Sequence, residues 1–410
     1  MNMFGWCEGC RAIALEGWCS IHGETRPIPT INKIDLCPLP EFEKEFLNDR
    51  MDELKFGEGI FLVYGDRMYH RTLVALDKPL VEIKVRKDGV GITPLIKGEV
   101  AGMNPDSLWN ANSERINNLV KVSSSFARQE LEQNKNAIIS FSGGKDSVVL
   151  AHLLEDYDLK KVFIDTTIEF PETYKFINSL KGMGWDINVS RAEKNFFKLY
   201  PEKGYPRRKN RWCCKTQKFD PFEKYLKEHF REEPVLVFGA ERRWESLHRM
   251  DQPFKKPHKH ISNQYSCHIM LDWTAMDVWI YTWRNKLSVN EIYRYYDRAG
   301  CWPCPFGLTY RGFLMKCAHP KLYTFLEKAG ATSKFYGISI QPCTEGKPMK
   351  HLVFSDKRLM SAVKMLIPKL CENFEIHDDN GVICVPANLS NMRLEALMRE
   401  AKASLGRCNS

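Results

Sequence analysis

Six consecutive residues, Ser142-Gly143-Gly144-Lys145-Asp146-Ser147, place two glycines, a cation, a carboxylate and two hydroxyls together. They follow Ala137-Ile138-Ile139-Ser140-Phe141, which reads as a buried strand, and precede Val148 to Leu154, which read as a helix. A turn in that setting aims backbone N–H groups and the positive end of a helix dipole at one point. The glycines admit close approach of an anion, Lys145 adds charge, and Ser142 and Ser147 add donors. The chemistry is that of a phosphate cradle. The Gly-x4-Gly-Lys-Ser/Thr spacing of a Walker A loop is absent.

Cysteines form the second chemical signal. There are fourteen, in a chain with no basic-then-apolar leader at its start, which argues for metal or redox chemistry over structural disulfides. Cys7-x2-Cys10 and Cys19-x2-His22 form two knuckles, each able to give two ligands to a tetrahedral zinc ion. Cys37 is the alternative fourth ligand if His22 faces solvent. Further on, Cys213-Cys214 follows the basic run Arg207 to Arg211, and Cys301-x2-Cys304 lies downstream, with Cys317 beyond it. The adjacent pair is hard to aim at one centre, so Cys317 could replace Cys213 or Cys214 as ligand and free it for sulfur transfer. Iron–sulfur cluster, zinc and no metal are all open for this set. Cys343, Cys371, Cys384 and Cys408 follow no ligand spacing.

The elements that must position these groups alternate strand and helix. Lys161 to Thr167 reads as a second buried strand and Val235 to Gly239 as a third, with helical patterns between. That implies an α/β fold built on an open, doubly wound parallel sheet, whose ligands sit beyond the strands' carboxyl ends. The cradle, Asp165 and Gly239 all fall there. Upstream, Phe61 to Tyr64, Thr72 to Ala75 and Val81 to Val85 read as short strands of a small β-rich module, PUA-like in pattern, and Asp106 to Gln133 as one or two helices. Downstream, Arg358 to Cys371 reads as an amphipathic helix, Phe374 to Val385 as a hairpin and Asn391 to Ala403 as a last helix. The expected divisions are 1–40 (zinc knuckles), 56–105 (β-rich module), 106–325 (catalytic domain with the cluster cysteines) and 326–410 (α+β appendage).

Composition sets the bounds. With 410 residues, 43% hydrophobic and 27% charged, the chain has the make-up of a soluble globular protein of two or three domains. No apolar run approaches ~20 residues, so no membrane partner is expected and the expected location is cytoplasmic. A net charge of +9 permits a polyanionic partner without requiring one.

The hexapeptide resembles the PP-loop of ATP pyrophosphatases, which hold the β,γ-phosphates of ATP while cleaving between α and β phosphorus. Four matches together resemble the phosphoadenosine phosphosulfate (PAPS) reductase family within the superfamily of adenine nucleotide alpha-hydrolases. They are Ser142 to Ser147; Asp165-Thr166-Thr167 with Phe170 to Thr173; Arg242-x-x-Glu245-Ser246-x-x-Arg249; and Leu271 to Trp279 followed by Gly300-Cys301-x-x-Cys304-Pro305. The resemblance implies a nucleotide site built from Ser140, Ser142, Gly143, Gly144, Lys145, Asp146, Ser147, Asp165, Thr166, Gly239, Arg242 and Arg249. It implies that Asp165 borders the adenosine and that Arg242 and Arg249 contact phosphate or sulfate. Family members usually carry one residue between the glycine and the first arginine; here Ala240 and Glu241 intervene. The paired-cysteine pattern resembles the 4Fe-4S site of the adenylylsulfate reductase branch, with Cys213, Cys214, Cys301, Cys304 and Cys317 as candidate ligands.

Lys145, Asp146, Cys213 and Cys214 are the candidate catalytic residues of two competing chemistries. In one, ATP with Mg2+ adenylylates a substrate oxygen, pyrophosphate leaves, and sulfur displaces AMP, as suits thiolation of tRNA or phosphorothioation of DNA. In the other, PAPS or adenylylsulfate gives its sulfur to a cysteine, and a reductant then releases sulfite. Sulfonucleotide reductases usually have a degraded loop and a C-terminal Glu-Cys-Gly-x-His motif. Here the loop is intact and the motif is missing, so the ATP reading is preferred. The expected partners are the nucleotide, a tRNA or DNA acceptor, a thiol or ferredoxin-type reductant and a sulfur donor, with a homodimer as candidate assembly.

Overall fold

The computed structural model describes residues 4–28, 36–66, 71–86, 89–207, 210–305, 310–329, 339–342, 348–353, 357–369, 371, 374–377, 382–386, 397 and 400. Two compact units divide the chain: Met1–Lys84 with Ile92–Gly307, and Val85–Gly91 with Leu308–Ser410.

At the heart of the first unit is a six-stranded sheet. Its elements, after the long helix α1 (Pro105–Gln133), are β1 (Ala137–Phe141), α2 (Lys145–Leu153), β2 (Lys160–Asp165), α3 (Pro171–Gly182), β3 (Ile187–Arg191), α4 (Phe196–Lys203), α5 (Asp220–Phe230), β4 (Val235–Phe238), β5 (Lys255–Pro257), β6 (Gln264–Cys267) and α6 (Ala275–Arg284). The strand order is β3-β2-β1-β4-β6-β5. All neighbours pair parallel except β5, an antiparallel edge. Helices cover such a sheet on both faces, which is why β1 and β4 are apolar at nearly every position. The order reverses direction between β1 and β4, and the crevice there is where a ligand fits.

α1 starts at Asn104, whose side chain accepts from the Ser107 N–H, with Pro105 in the first turn. It forms one helix and joins the catalytic sheet to the knuckles. Buried Asn112 accepts from the Leu15 N–H (2.7 Å) and donates to the Ile13 carbonyl (2.8 Å). Arg115 forks onto Asp277 at 2.9 and 2.8 Å and also reaches Glu16. Asp277 is 0% exposed and completes a capping box with Thr274 at the start of α6. Arg115→Met strands that carboxylate, and the expected cost is about 3–5 kcal/mol in urea unfolding. A loss under about 1 kcal/mol contradicts this assignment.

Ahead of α1, Phe4–Cys7, Ala12–Leu15 and Arg26–Pro27 form a three-stranded antiparallel sheet, and Trp18–Cys19 pairs with Gly23–Glu24. The β-rich module is a five-stranded sheet in the order Gly89–Pro94, Pro79–Arg86, Arg71–Ala75, Leu62–Asp66, Cys37–Pro38. Within it, Cys37 pairs with Val63.

In the second unit, helices Tyr310–Ala318 and Pro320–Lys328 precede an antiparallel sheet ordered Ser339–Pro342, Pro348–Val353, Val382–Pro386, Glu375–His377. Helix Lys357–Leu366 puts Met360, Ala362 and Val363 in a core with Ile383 and Val385. The expected hairpin and amphipathic helix are present. The expected helix over Asn391 to Ala403 lies largely outside the described residues, as do Cys343 and Cys408. No helix among the described residues is long and apolar enough to cross a membrane.

Candidate functional site

The cradle follows β1 and caps α2. Gly143 takes a φ of +70°, and a Cβ there would lie 3.1 Å from Ile177, so only glycine fits the turn. Ser142 Oγ donates to Ser147 Oγ (3.2 Å) and accepts from the Gly144 N–H (3.3 Å); Ser147 Oγ in turn donates to the Gly144 carbonyl (2.8 Å). Both serines thus brace the loop from within. Two residues without a sequence signal support it from behind. Tyr293 Oη accepts from the Lys145 N–H at 2.9 Å, and Asn290 donates to the Gly143 carbonyl (3.0 Å) and to Thr173 (3.1 Å). Burial raises the Tyr293 phenol above its ordinary value, which keeps it neutral.

Three charges meet in the cradle. Lys145 Nζ lies 2.7 Å from Asp146 Oδ2, and Arg242 Nε lies 2.6 Å from Asp146 Oδ1. The side chains of Lys145 and Arg242 are each 4% exposed. Burial opposes the charge on Lys145, but Asp146 outweighs it and raises the ammonium above its ordinary value. Burial would also lift the Asp146 carboxyl, and Arg242 and Lys145 together hold it well below the carboxylate range. Arg242 therefore sits in the cradle despite the extra residue before it. That residue, Glu241, pairs with Arg249 at 3.3 Å, and Arg249 also contacts Glu245. Gly239 leaves room for His268, whose ring a Cβ would approach to 3.1 Å. Buried His268 bonds the Gly239 carbonyl through Nδ1 (3.1 Å) and faces Glu241.

Asp165 ends β2 as expected, but its carboxylate is engaged within the protein. It accepts from the Thr167 N–H (2.8 Å), Tyr174 Oη (2.9 Å) and Arg191 Nε (2.6 Å). Ser140 is half-buried within β1. Thr166 donates to Glu169 (2.8 Å) and lies 3.5 Å from Cys301 Sγ, so it links the nucleotide crevice to the second cysteine set. Cys301 also donates to Glu169 at 3.4 Å.

Cys213 and Cys214 occupy the turn Trp212–Cys214, which runs into a π-helical segment, Lys215–Phe219, before α5. Widened turns of this kind recur at functional sites. Here the adjacent Cys214, burial and the nearby Cys301 and Cys304 together push the Cys213 thiol well up. Cys214 is brought down to about 6 by the Cys213 thiol, against burial, with help from Arg211 and Lys218. Burial and Glu169 push Cys301 well up. Among the described residues, the group of three or more potential ligand atoms placed to hold a metal ion lies at the N-terminal knuckles. Cys317 is exposed and belongs to the second unit.

The knuckles converge fully. Cys7, Cys10, Cys19 and His22 bring their ligand atoms within 4.8 Å of one another. Cys10 Sγ is 3.7 Å from Cys19 Sγ, and His22 Nδ1 is 3.4, 3.4 and 3.6 Å from Cys7, Cys10 and Cys19. Tetrahedral bonds of zinc length to sulfur and nitrogen give edges of about 3.8 and 3.6 Å. The Cys10 and His22 N–H groups donate to Cys7 and Cys19 sulfur, each at 3.4 Å. These four could hold a metal ion. Cys37 is outside the group, so His22 is the fourth ligand of choice.

Residues 136–306 match the model of the phosphoadenosine phosphosulfate reductase domain. An uncharacterised protein of Methanocaldococcus jannaschii is 34% identical over 254 residues, covering 59% of this chain and 61% of its own; a second from that organism is 34% identical over 208 residues, covering 49% and 42%. This chain thus spans less than two thirds of either archaeal relative. Adenosine 5'-phosphosulfate reductase of Bacillus mycoides is 27% identical over 187 residues, covering 42% of this chain and 74% of its own. Among solved structures, PAPS reductase from Candida auris aligns with a TM-score of 0.38 at 17% identity, over 47% of this chain and 96% of its own. With the cradle after β1, the arginine segment after β4 and the cysteines in place, residues 136–306 are a domain of the phosphoadenosine phosphosulfate reductase family.

Proposed function

We propose that the first unit is an ATP-dependent PP-loop enzyme that activates a nucleic-acid acceptor for sulfur transfer. The observation that carries this reading is the complete cradle, in which buried Lys145 and Arg242 flank the carboxylate of Asp146. Cations held beside the N–H groups of a helix N-terminus complement a polyphosphate. An acceptor oxygen attacks the α-phosphorus, the bond to the α,β-bridging oxygen breaks, and pyrophosphate leaves with its charge met by Lys145 and the loop amides. Sulfur then displaces AMP from the activated acceptor. Asp146 is the carboxylate that would hold Mg2+ beside the phosphates. Cys213, Cys214, Cys301 and Cys304 would ligate a 4Fe-4S cluster, which when bound would carry or position the sulfur. Cys7, Cys10, Cys19 and His22 would hold a structural zinc. A tRNA or DNA is the acceptor, with a sulfur donor and a thiol or ferredoxin-type reductant as partners in a cytoplasmic setting.

The names of the Bacillus relatives favour a second reading, reduction of PAPS or adenylylsulfate to sulfite. Anaerobically purified protein given either sulfonucleotide and a dithiol separates the two. Sulfite release that disappears on changing Lys145 or Cys214 overturns the ATP reading. Absence of sulfite, with iron intact and pyrophosphate released from ATP on adding RNA or DNA, supports it. Cys301→Ser is expected to lose most of the iron and the brown absorbance, and undiminished iron rules out Cys301 as a ligand.

A further inference from the structure

Beside the cysteine pair, the fold joins two segments that are far apart in sequence. Lys218 and Phe219 come from the π-helical turn; Lys256, His258, Lys259 and His260 come from the edge strand β5 and the residues after it. The Phe219 and His260 rings stack with centroids 4.9 Å apart and planes at 25°, and Phe219 meets His258 edge-on at 5.7 Å. Lys218 and Phe219 lie on the helical run that directly follows Cys213 and Cys214, so this surface adjoins the cysteine pair. Neighbouring lysines are neutralised: Lys255 by Glu130 at 2.6 Å and Lys215 by Asp220 at 3.0 Å. Lys218, Lys256 and Lys259, by contrast, have no carboxylate within ion-pair distance among the described residues. The nearby carboxylate of Glu241 is paired with Arg249. Lys218, Lys259 and His260 are exposed, and Phe219 is half-buried.

We propose that this edge is the docking surface for a single-stranded nucleic acid, with phosphates on Lys218, Lys256 and Lys259 and a base stacked against the Phe219–His260 rings. Unneutralised cations in a row supply the sequence-independent attraction to a phosphate backbone. Partly exposed rings between them are platforms for unpaired bases, which a duplex does not offer. A strand laid along β5 reaches the cysteine pair at one end, which is where sulfur would be handed over. This inference rests on the reading that the acceptor is a nucleic acid and names the surface that holds it.

The test reads binding without turnover: fluorescence anisotropy of a fluorescein-labelled, mixed-sequence single-stranded RNA on the full, metal-loaded chain. Reversing two charges (Lys256→Glu with Lys259→Glu) is expected to weaken binding about 10-fold or more. It should also reduce the salt slope by about 1.4, at roughly 0.7 per lost phosphate contact on a single strand. His260→Ala is expected to weaken it about 5-fold. A matched double reversal at the opposite end of the sheet, Lys160→Glu with Lys181→Glu, should leave the affinity within about twofold. Binding of single-stranded DNA of the same sequence with the same losses also supports the surface. A preference for duplex DNA overturns it. Full affinity in the Lys256/Lys259 variant overturns the surface and leaves the acceptor reading standing, whereas no binding by the wild-type chain overturns both.

Discussion

Lys145→Ala is expected to lower nucleotide-dependent turnover by at least about 10²–10³-fold, the loss typical of removing one preorganised donor from a site where charge develops. The geometry makes Lys145 hard to replace. Its ammonium is buried and held by Asp146 at 2.7 Å, on the side of the loop from which α2 begins. Water cannot substitute there without being ordered at the same point. The fold should survive, because Asp146 retains Arg242 at 2.6 Å and no carboxylate is left unpaired. Thermal unfolding of the variant should therefore lie close to that of the wild type. Pyrophosphate release in the presence of acceptor, and sulfite release from sulfonucleotides, are measured on the same preparations. Wild-type rates in both assays would remove the cradle from the chemistry.

Removing the site at which the knuckles could hold a metal ion should have the largest effect on structure. Cys19→Ser is expected to lose one equivalent of metal per chain and to speed amide exchange across residues 4–28 by at least about 100-fold. Structural zinc contributes about 10–16 kcal/mol of apparent binding free energy in small peptides, and a part of that is ample for such an effect. The strands here are only two to four residues long. What the metal does not fix is held by Asn112 and by the apolar strand Ala12–Leu15, so exchange should rise most at the two knuckles. Burial and the neighbouring Cys19 push the Cys10 thiol up to about 12. Metal binding must therefore displace a proton there at neutral pH, and the heat of metal binding should depend on the buffer's ionisation enthalpy. Full metal content and unchanged exchange in Cys19→Ser would exclude this site.

Local spacing made much of the molecule legible from the chain alone. The apolar run before Ser142 reads as a strand buried on both faces, and the glycines after it as a tight turn into a helix. Cys7, Cys10, Cys19 and His22 were legible for the same reason: two-residue gaps bring paired ligands together whatever surrounds them. The helices Tyr310–Ala318 and Pro320–Lys328 were less legible, because their apolar faces do not state which core they join.

The rest was decided by packing. Arg242 reaches Asp146 because β4 runs parallel to β1 and delivers the segment after Gly239 to the cradle, whatever the count of residues between. Tyr293 and Asn290 brace the loop from a stretch whose spacing predicts nothing, since a hydrogen bond across such a sequence separation leaves no period to read. Glu241 neutralises Arg249, a pairing that two charged residues in a loop do not announce. The sequence by itself determined the cradle, both cysteine sets and the α/β sheet, because each depends on neighbours a few residues apart. Only the tertiary structure decided which cations meet at Asp146, that Cys37 stands apart from the knuckles, and that Lys218 and Phe219 meet the β5 edge. Those are contacts between distant segments, and their geometry exists only once the sheet has closed.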